Sequence, residues 1–396
     1  LLSNRVKELS ISHTTKIFSE AKRLKSEGVD IIDLSIGEPD FQTPENIKEE
    51  GKNAIDNNLT KYTLNQGTIE LRTAIAAKLN RENLLDYNPN EITVSSGAKQ
   101  SIYNSILTIV NPGDEVIVPA PYWVSYPSMI QLAGGRMVVI DTNEDTGFKI
   151  TAAQLNAAIT QKTKMLIICN PSNPTGSAYS RKELESLAEI VIQNNLFVIS
   201  DEIYEKLVYD DFKFISFAAI NKRIKEKTIL VNGISKSYAM TGWRIGYSAA
   251  PENIASAINT IQSHTTSNAS SISQHAAIEA VSGPQYVIDK MIMEYQKRRD
   301  YLFNEINSVK GITCHKPEGA FYLFPNVMHY LQSRSNNSNL NSSYDLAMHL
   351  LNEAHVAVVP GSAFGKEGYL RLSYSTSMEN LKEATSRIKK ALNKIY

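Results

Sequence analysis

Cysteine is scarce in this chain of 396 residues: Cys169 and Cys314 are the only two, and no CxxC spacing offers a metal or redox pair. That scarcity fits a reducing cytoplasm. Net charge is missing as well. Lys and Arg together number 41, as do Asp and Glu, so no overall basicity draws the chain to nucleic acid or to an anionic membrane. No apolar run approaches the roughly 18 residues that span a bilayer. The segment from Leu1 to Ser10 holds no hydrophobic signal core. A cytoplasmic globular protein without nucleic-acid or membrane partners is the expectation. The seven histidines are scattered and no HExxH occurs, so no metal site is expected. No GxGxxG follows a strand candidate, which removes the dinucleotide fingerprint.

What is present is an ordinary globular composition, 42% hydrophobic and 21% charged, long enough for two domains. Residues 14–27 carry Ile17, Ala21 and Leu24 at helical spacing, with Gly28 as a stop. The run from Ile31 to Phe41 alternates as a short strand and ends in a turn at Gly37 and Pro39. A glycine there can let backbone approach a ligand closely. Tyr62 lies in a polar stretch, and composition alone favours packing over ligand contact for it. A helix is expected from about Ile69 to Asn80. Strands are expected at Glu91–Ser95, Glu115–Pro119, Lys164–Cys169, Leu196–Ser200 and Thr228–Val231, with helices at Lys99–Val110 and Arg181–Asn194 between them. That alternation predicts an α/β domain with a largely parallel sheet. Further helices are expected at 251–262, 273–282 and from Tyr286 to Val309. The polar run 333–343 reads as a surface loop. In the strand candidate Tyr369–Ser375, Arg371 points away from Leu370, Leu372 and Tyr374. An arginine so placed makes a structural salt bridge or clamps a carboxylate.

Lys236 lies just past the Thr228–Val231 strand, among small residues. It can be a surface charge, a phosphate ligand or a Schiff-base nucleophile. A P-loop requires glycines where this chain has Leu230 and Ser235, so that reading fails. Asn173 and Asp201 also lie beyond strand ends, as does the Ser96-Gly97-Ala98 turn, which opens a helix and aims backbone N–H groups at an anion. Strand ends in open α/β sheets surround the ligand crevice. Trp123, in the aromatic loop Pro121–Pro127, has a flat ring suited to stacking on a planar ligand. An acid, an amide, a lysine and an anion-binding turn in one crevice suit pyridoxal 5'-phosphate.

Taken together, these segments resemble one family. Gly233-Ile-Ser-Lys-Ser-Tyr-Ala-Met-Thr-Gly-Trp-Arg-Ile-Gly246 is similar to the signature of class I aminotransferases. So are Gly-Glu-Pro-Asp-Phe41, Ser-Gly-Ala-Lys99, Pro-Tyr-Trp123, Asn-Pro-Thr-Gly176, Asp-Glu-Ile-Tyr204 and Tyr-Leu-Arg-Leu-Ser373, in family order over nearly the whole chain. The chain most resembles bacterial aspartate aminotransferases of subgroup I-beta.

The resemblance implies fold type I of the pyridoxal-phosphate-dependent transferases. It implies a large cofactor domain at 46–290 with a mixed, mostly parallel seven-stranded sheet. An arm and part of a smaller α+β domain fall at 1–45, and the rest of that domain at 291–396. Lys236 would hold pyridoxal 5'-phosphate as a Schiff base and then shuttle a proton. Asp201 would face the ring nitrogen, Tyr204 and Asn173 the ring oxygen, and Trp123 the ring plane. Gly97, Ala98, Lys99 and Arg244 would surround the phosphate, with Tyr62 reaching it from a second subunit, which makes a homodimer. Arg371 would bind the substrate α-carboxylate, Gly37 would line the site, and Lys99 would meet a second carboxylate, with Trp123 and Asn173 also beside the substrate. Aspartate and 2-oxoglutarate are the implied substrates, by a ping-pong mechanism. Alternatives are prephenate, aromatic amino acids or alanine on the same fold, or a non-catalytic cofactor-binding regulatory module. Relatives that transaminate prephenate often carry a lysine near the place of Ser10; here Lys7 and Lys16 flank it.

Overall fold

A computed structural model describes residues 2–7, 9, 13–331 and 340–395. Most of the polar run 333–343 and the position of Ser10 lie outside the described residues. The strands are β1 Ile32–Asp33, β2 Ile92–Ser95, β3 Glu115–Ala120, β4 Arg136–Asp141, β5 Thr163–Cys169 and β6 Phe197–Asp201. Then follow β7 Thr228–Gly233, β8 Gly246–Ala249, β9 Tyr322–Leu323, β10 Val356–Ala357, β11 Val359–Pro360 and β12 Leu370–Ser373.

Seven of these strands form one sheet in the order β2-β8-β7-β6-β5-β3-β4. Only the two pairs that involve β8 are antiparallel. The other six strands therefore send their carboxyl ends to one edge, and this is the mixed, mostly parallel sheet that the sequence predicts. Its strands are covered on both faces, which is why they are continuous apolar runs. Side chains alternate between the faces. Val116, Val118, Met165 and Ile167 pack on one side with Ile102 and Ile106 of the helix Ala98–Ile109 and with Ile254 and Ile258. Ile117, Leu166 and Ile168 pack on the other with Leu184, Leu187 and Val191 of the helix Arg181–Gln193.

The expected elements are present with shifted ends: the helices 69–80 and Tyr286–Val309 run Ile69–Asn83 and Tyr286–Asn307. In the large sheet two strands escaped the sequence reading, and outside it the two-residue strands β9, β10 and β11 did as well. β4 is an edge strand whose Val139 is exposed, so it lacks the fully buried pattern of its neighbours. β8 reads Gly-Tyr-Ser-Ala and has few strand-forming residues, but pairing on both sides holds it. The segment Pro121–Pro127 is also not all loop, since a helix begins at Tyr126.

A smaller α+β layer comprises the antiparallel sheet β11-β12-β9 and the parallel pair β1-β10. Ile32 pairs with Val356, and the Leu34 carbonyl accepts from the Ser373 N–H. The chain that follows β1 is thereby carried across to the edge of the large sheet. Arg298 grips both oxygens of Asp40 at 2.9 and 2.8 Å, and Ser375 Oγ accepts from the Asp40 N–H at 3.0 Å.

Close backbone approach sets where the helix Ala98–Ile109 begins. A Cβ on Gly246 would fall 2.6 Å from Ala98 Cα and 2.5 Å from the Gly97 carbonyl carbon. Gly246→Ala is expected to cost about 1–3 kcal/mol through overpacking, measured as a lowered denaturant midpoint at unchanged slope.

Candidate active site

The carboxyl edge of the large sheet and the strap from Ser35 to Glu38 enclose a cavity of about 650 Å³. Its wall includes Gly37, Ala98, Lys99, Trp123, Asn173, Asp201, Tyr204, Lys236, Arg244 and Arg371. Gly97 stands directly behind it with φ +88°, where a Cβ would collide with the Arg244 guanidinium. Tyr62 is the one candidate the single chain does not bring in. It is 93% exposed, which corrects the packing role that composition favoured.

Lys236 follows β7, and its Nζ donates to the Gly37 carbonyl. Burial pushes its ammonium down to about 8; Arg371 and Arg244 push the same way, while Glu38 and Asp201 oppose. Asp201 ends β6 and is buried, which raises its carboxyl to about 6. The Tyr126 hydroxyl donates to Asp201 Oδ2 at 2.7 Å and works against that rise, as does the Ile203 N–H. At neutral pH most of Asp201 is therefore ionised.

Arg371 projects from β12 and is buried. Its Nη1 donates to Asn173 Oδ1 at 3.0 Å and its Nη2 to the Ser35 carbonyl at 2.6 Å, while Nε is buried with no partner. Of the two sequence readings for Arg371, a structural salt bridge is not found among the described residues. Asn173 spends its oxygen on Arg371, so its NH₂ remains as the donor toward the cavity. Arg244 has left-handed backbone, φ 57°, and donates to the Thr241 and Ser96 carbonyls at 2.9 and 3.3 Å. Lys99 is exposed, with Nζ 5.0 Å from the centre of the Trp123 ring. Partial desolvation beside the ring, and then Arg244, push its ammonium down despite that exposure. The Trp123 ring packs edge-on against Tyr126, centroids 5.4 Å apart.

Four cations thus line one cavity: Lys99, Lys236, Arg244 and Arg371. Glu38 and Asp201 are the only carboxylates on its wall among the described residues. Among the described residues none of the four cations forms an ion pair with a carboxylate; three of them rest on neutral oxygens instead. Such a cavity is built for a ligand of several negative charges.

Sequence reasoning missed Tyr126, Tyr322, Ser35 and Ser235. Ser235 sits inside the motif beside Lys236 and was readable there. Tyr126 was visible only as one more aromatic in its segment. Tyr322 lies in Gly-Ala-Phe-Tyr322, far from every motif, and only the fold brings its hydroxyl to 2.8 Å from that of Tyr204.

Comparison with known proteins accords with this geometry. A family model described as aminotransferase class I and II matches residues 29–388. An aspartate aminotransferase of a Bacillus species is 46% identical, covering 98% of each chain. An aspartate/prephenate aminotransferase of Cereibacter sphaeroides is also 46% identical, over 98% of this chain and 97% of that one. The crystal structure of the Rhizobium meliloti aspartate aminotransferase superposes with a TM-score of 0.96 at 42% identity, covering 99% of each chain.

The Lys236 environment has a direct chemical readout. Only the neutral amine has a lone pair to attack a carbonyl, and an amine titrating near 8 is about one-tenth neutral at pH 7. In cofactor-free protein, trapping of Lys236 by a small aldehyde plus borohydride should rise with pH through about 8. An inflection near 10, located by mass spectrometry of the Lys236 peptide, would contradict this environment.

Proposed function

The chain belongs to the class I and II aminotransferase family, and we propose that it transfers the amino group between L-aspartate and 2-oxoglutarate, giving oxaloacetate and L-glutamate. The cofactor of this family is pyridoxal 5'-phosphate and the fold is type I of the transferases that use it. The observation that carries the reading is the excess of cations over carboxylates on the cavity wall. A phosphate and two carboxylates are what four such cations can share.

The residues present fit the cofactor. Gly97 lets the Arg244 guanidinium lie against its backbone, where a Cβ would collide with it, and the first N–H groups of the helix Ala98–Ile109 beside it have no acceptor within the helix. When bound, pyridoxal phosphate supplies an aldehyde carbon for an amine and a protonated ring that takes up the electron pair left by α-proton removal.

The rest is the work of the chain. Gly97, Ala98, Lys99 and Arg244 hold the phosphate. Asp201, an anion kept so by Tyr126, holds the proton on the ring nitrogen. Asn173 Nδ2 and the Tyr204 hydroxyl would be the donors for the ring oxygen. Trp123 limits tilt of the ring. Arg371 takes the α-carboxylate through its unpartnered Nε and adjoining N–H. Lys236 Nζ, close to half-neutral near pH 8, removes the α-proton and returns it. Lys99 meets the second carboxylate, which selects a dicarboxylic substrate. Residues 46–290 act as the cofactor domain, with 1–45 and 291–396 as the smaller one; support comes from the β1–β10 pairing, which joins the first of those segments to the last.

A second copy of the chain completes the site. Tyr62 stands among Ile55, Leu59, Leu64 and Ile69, all exposed, in one stretch of chain. Covering that stretch with a partner removes apolar surface from water and carries the Tyr62 hydroxyl toward the partner's phosphate site. Tyr62→Phe should weaken cofactor affinity by roughly tenfold while sedimentation still reports a dimer; unchanged affinity would count against the shared site.

A substrate panel on cofactor-loaded protein tests the reaction. Lys236→Ala should abolish conversion of aspartate and 2-oxoglutarate, and wild-type turnover by that variant would refute the mechanism. Because Lys99 is exposed, Lys99→Ala should cost aspartate about 1–2 kcal/mol, roughly five- to thirtyfold in kcat/KM, and cost alanine less, since alanine has no second carboxylate to lose. Equal losses for both would remove Lys99 from substrate selection. Prephenate belongs on the same panel, given the name of the Cereibacter relative.

A further inference from the structure

Tyr322 is buried in the cavity wall and has no part in the roles assigned above. Its position follows from strand register. On β9 it pairs with Ser373 of β12, and Arg371 lies two residues from Ser373, on the same face of that strand. Tyr322 and Arg371 are therefore diagonal neighbours. The guanidinium carbon sits 4.5 Å from the centre of the Tyr322 ring. At its other end the Tyr322 hydroxyl is 2.8 Å from the Tyr204 hydroxyl, which hangs from the turn after β6. A Cβ on Gly37 would lie 3.3 Å from the Tyr322 oxygen, so the strap backbone closes over it.

Resting on the aminotransferase reading, we propose that Tyr322 is a positioning residue: its hydroxyl donates to Tyr204 and so polarises the Tyr204 O–H toward the cofactor's ring oxygen, while its ring ties that donor to the carboxylate clamp Arg371.

One proton lies between the two oxygens, and the surroundings choose its owner. Were Tyr204 the donor to Tyr322, it would face an electron-rich ring oxygen with lone pairs only. With Tyr322 as donor, the Tyr204 proton is free for that oxygen, and the two bonds strengthen each other. The Arg371 cation on the Tyr322 ring face draws electron density and makes the phenol the better donor. The titratable groups that face this hydroxyl are Tyr204 and Cys169 from the large sheet and Arg371 from its own. Burial pushes the Cys169 thiol up, so it stays neutral and does not compete. Tyr204 is also held edge-on by Phe321 and Tyr322, at 5.5 and 5.9 Å between centroids.

The test compares wild-type holoenzyme with Tyr322→Phe, which keeps the ring under Arg371 and removes the donor. Expected are a fall of about tenfold in kcat, a KM for aspartate within about twofold, and an upward move of the pH midpoint of the visible chromophore. The midpoint rises because a hydrogen bond to the anionic ring oxygen favours the deprotonated form, and weakening it favours the protonated one. In a Tyr204→Phe background, Tyr322→Phe should add little. The proposal is overturned by a Tyr322→Phe enzyme with wild-type kcat and midpoint, or by one that loses only KM or stability. It is also overturned by a full further effect in the Tyr204→Phe background. A wild-type protein with neither visible chromophore nor transamination would instead sink the reading on which the proposal rests.

Discussion

Four positive charges share one cavity with two carboxylates on its wall, and the architecture around the site serves to keep them there unneutralised. A mobile lysine or arginine would swing to the nearest acid. Here Lys236 is held on the Gly37 carbonyl, Arg244 on two backbone carbonyls, and Arg371 on the Asn173 amide oxygen and the Ser35 carbonyl. Neutral oxygens orient a cation without cancelling it. Crowding and burial then do chemical work, since they move Lys236 toward the free amine that carbonyl capture and proton removal both need.

Holding like charges close requires a rigid frame, and the frame comes from two layers rather than one. Asn173, Asp201, Tyr204 and Lys236 belong to the carboxyl edge of the large sheet, whereas Arg371 and Tyr322 belong to the small antiparallel one. The layers meet through side chains inside the site: Arg371 to Asn173 and Tyr322 to Tyr204. The strap after β1 seals the joint with the Gly37 carbonyl and with Asp40 on Arg298. The groups proposed to grip the substrate carboxylate and the cofactor are thus already bonded to one another, so the geometry of one half of the site constrains the other.

Most of the large sheet was legible because parallel strands covered on both faces must be apolar throughout, and Lys164–Cys169 and Thr228–Val231 advertise this plainly. β4 and β8 were not, since an edge strand and a strand of small residues owe their state to neighbours rather than to propensity. Site residues divided in the same way. Asn173, Asp201, Lys236 and the Gly97 turn lie at strand ends, where local pattern predicts a crevice. Arg371 could be read two ways until its guanidinium was found bonded to neutral oxygens, with no ion pair among the described residues. Tyr322 carried no local signal, because its role depends on a register between two strands far apart in the chain. Tyr62 was misjudged because burial tendency speaks for aromatic rings on average, whereas the fold leaves this one exposed.

The reversed strand β8 has a consequence for how this sequence can vary. Because β7 and β8 are antiparallel neighbours with Gly233 opposite Gly246, the segment 234–245 is a loop pinched shut at its base, with Lys236 and Arg244 both inside it. The contour between amine and guanidinium is therefore set by the number of residues in a closed ring, as in a ruler fixed at both ends. Away from Lys236 and Arg244, a single substitution leaves the length of that ring unchanged, but a one-residue insertion or deletion cannot be passed to the flanking strands without breaking their register. The count of residues between the amine and the guanidinium is thus a constraint of its own, beside the identity of those two side chains.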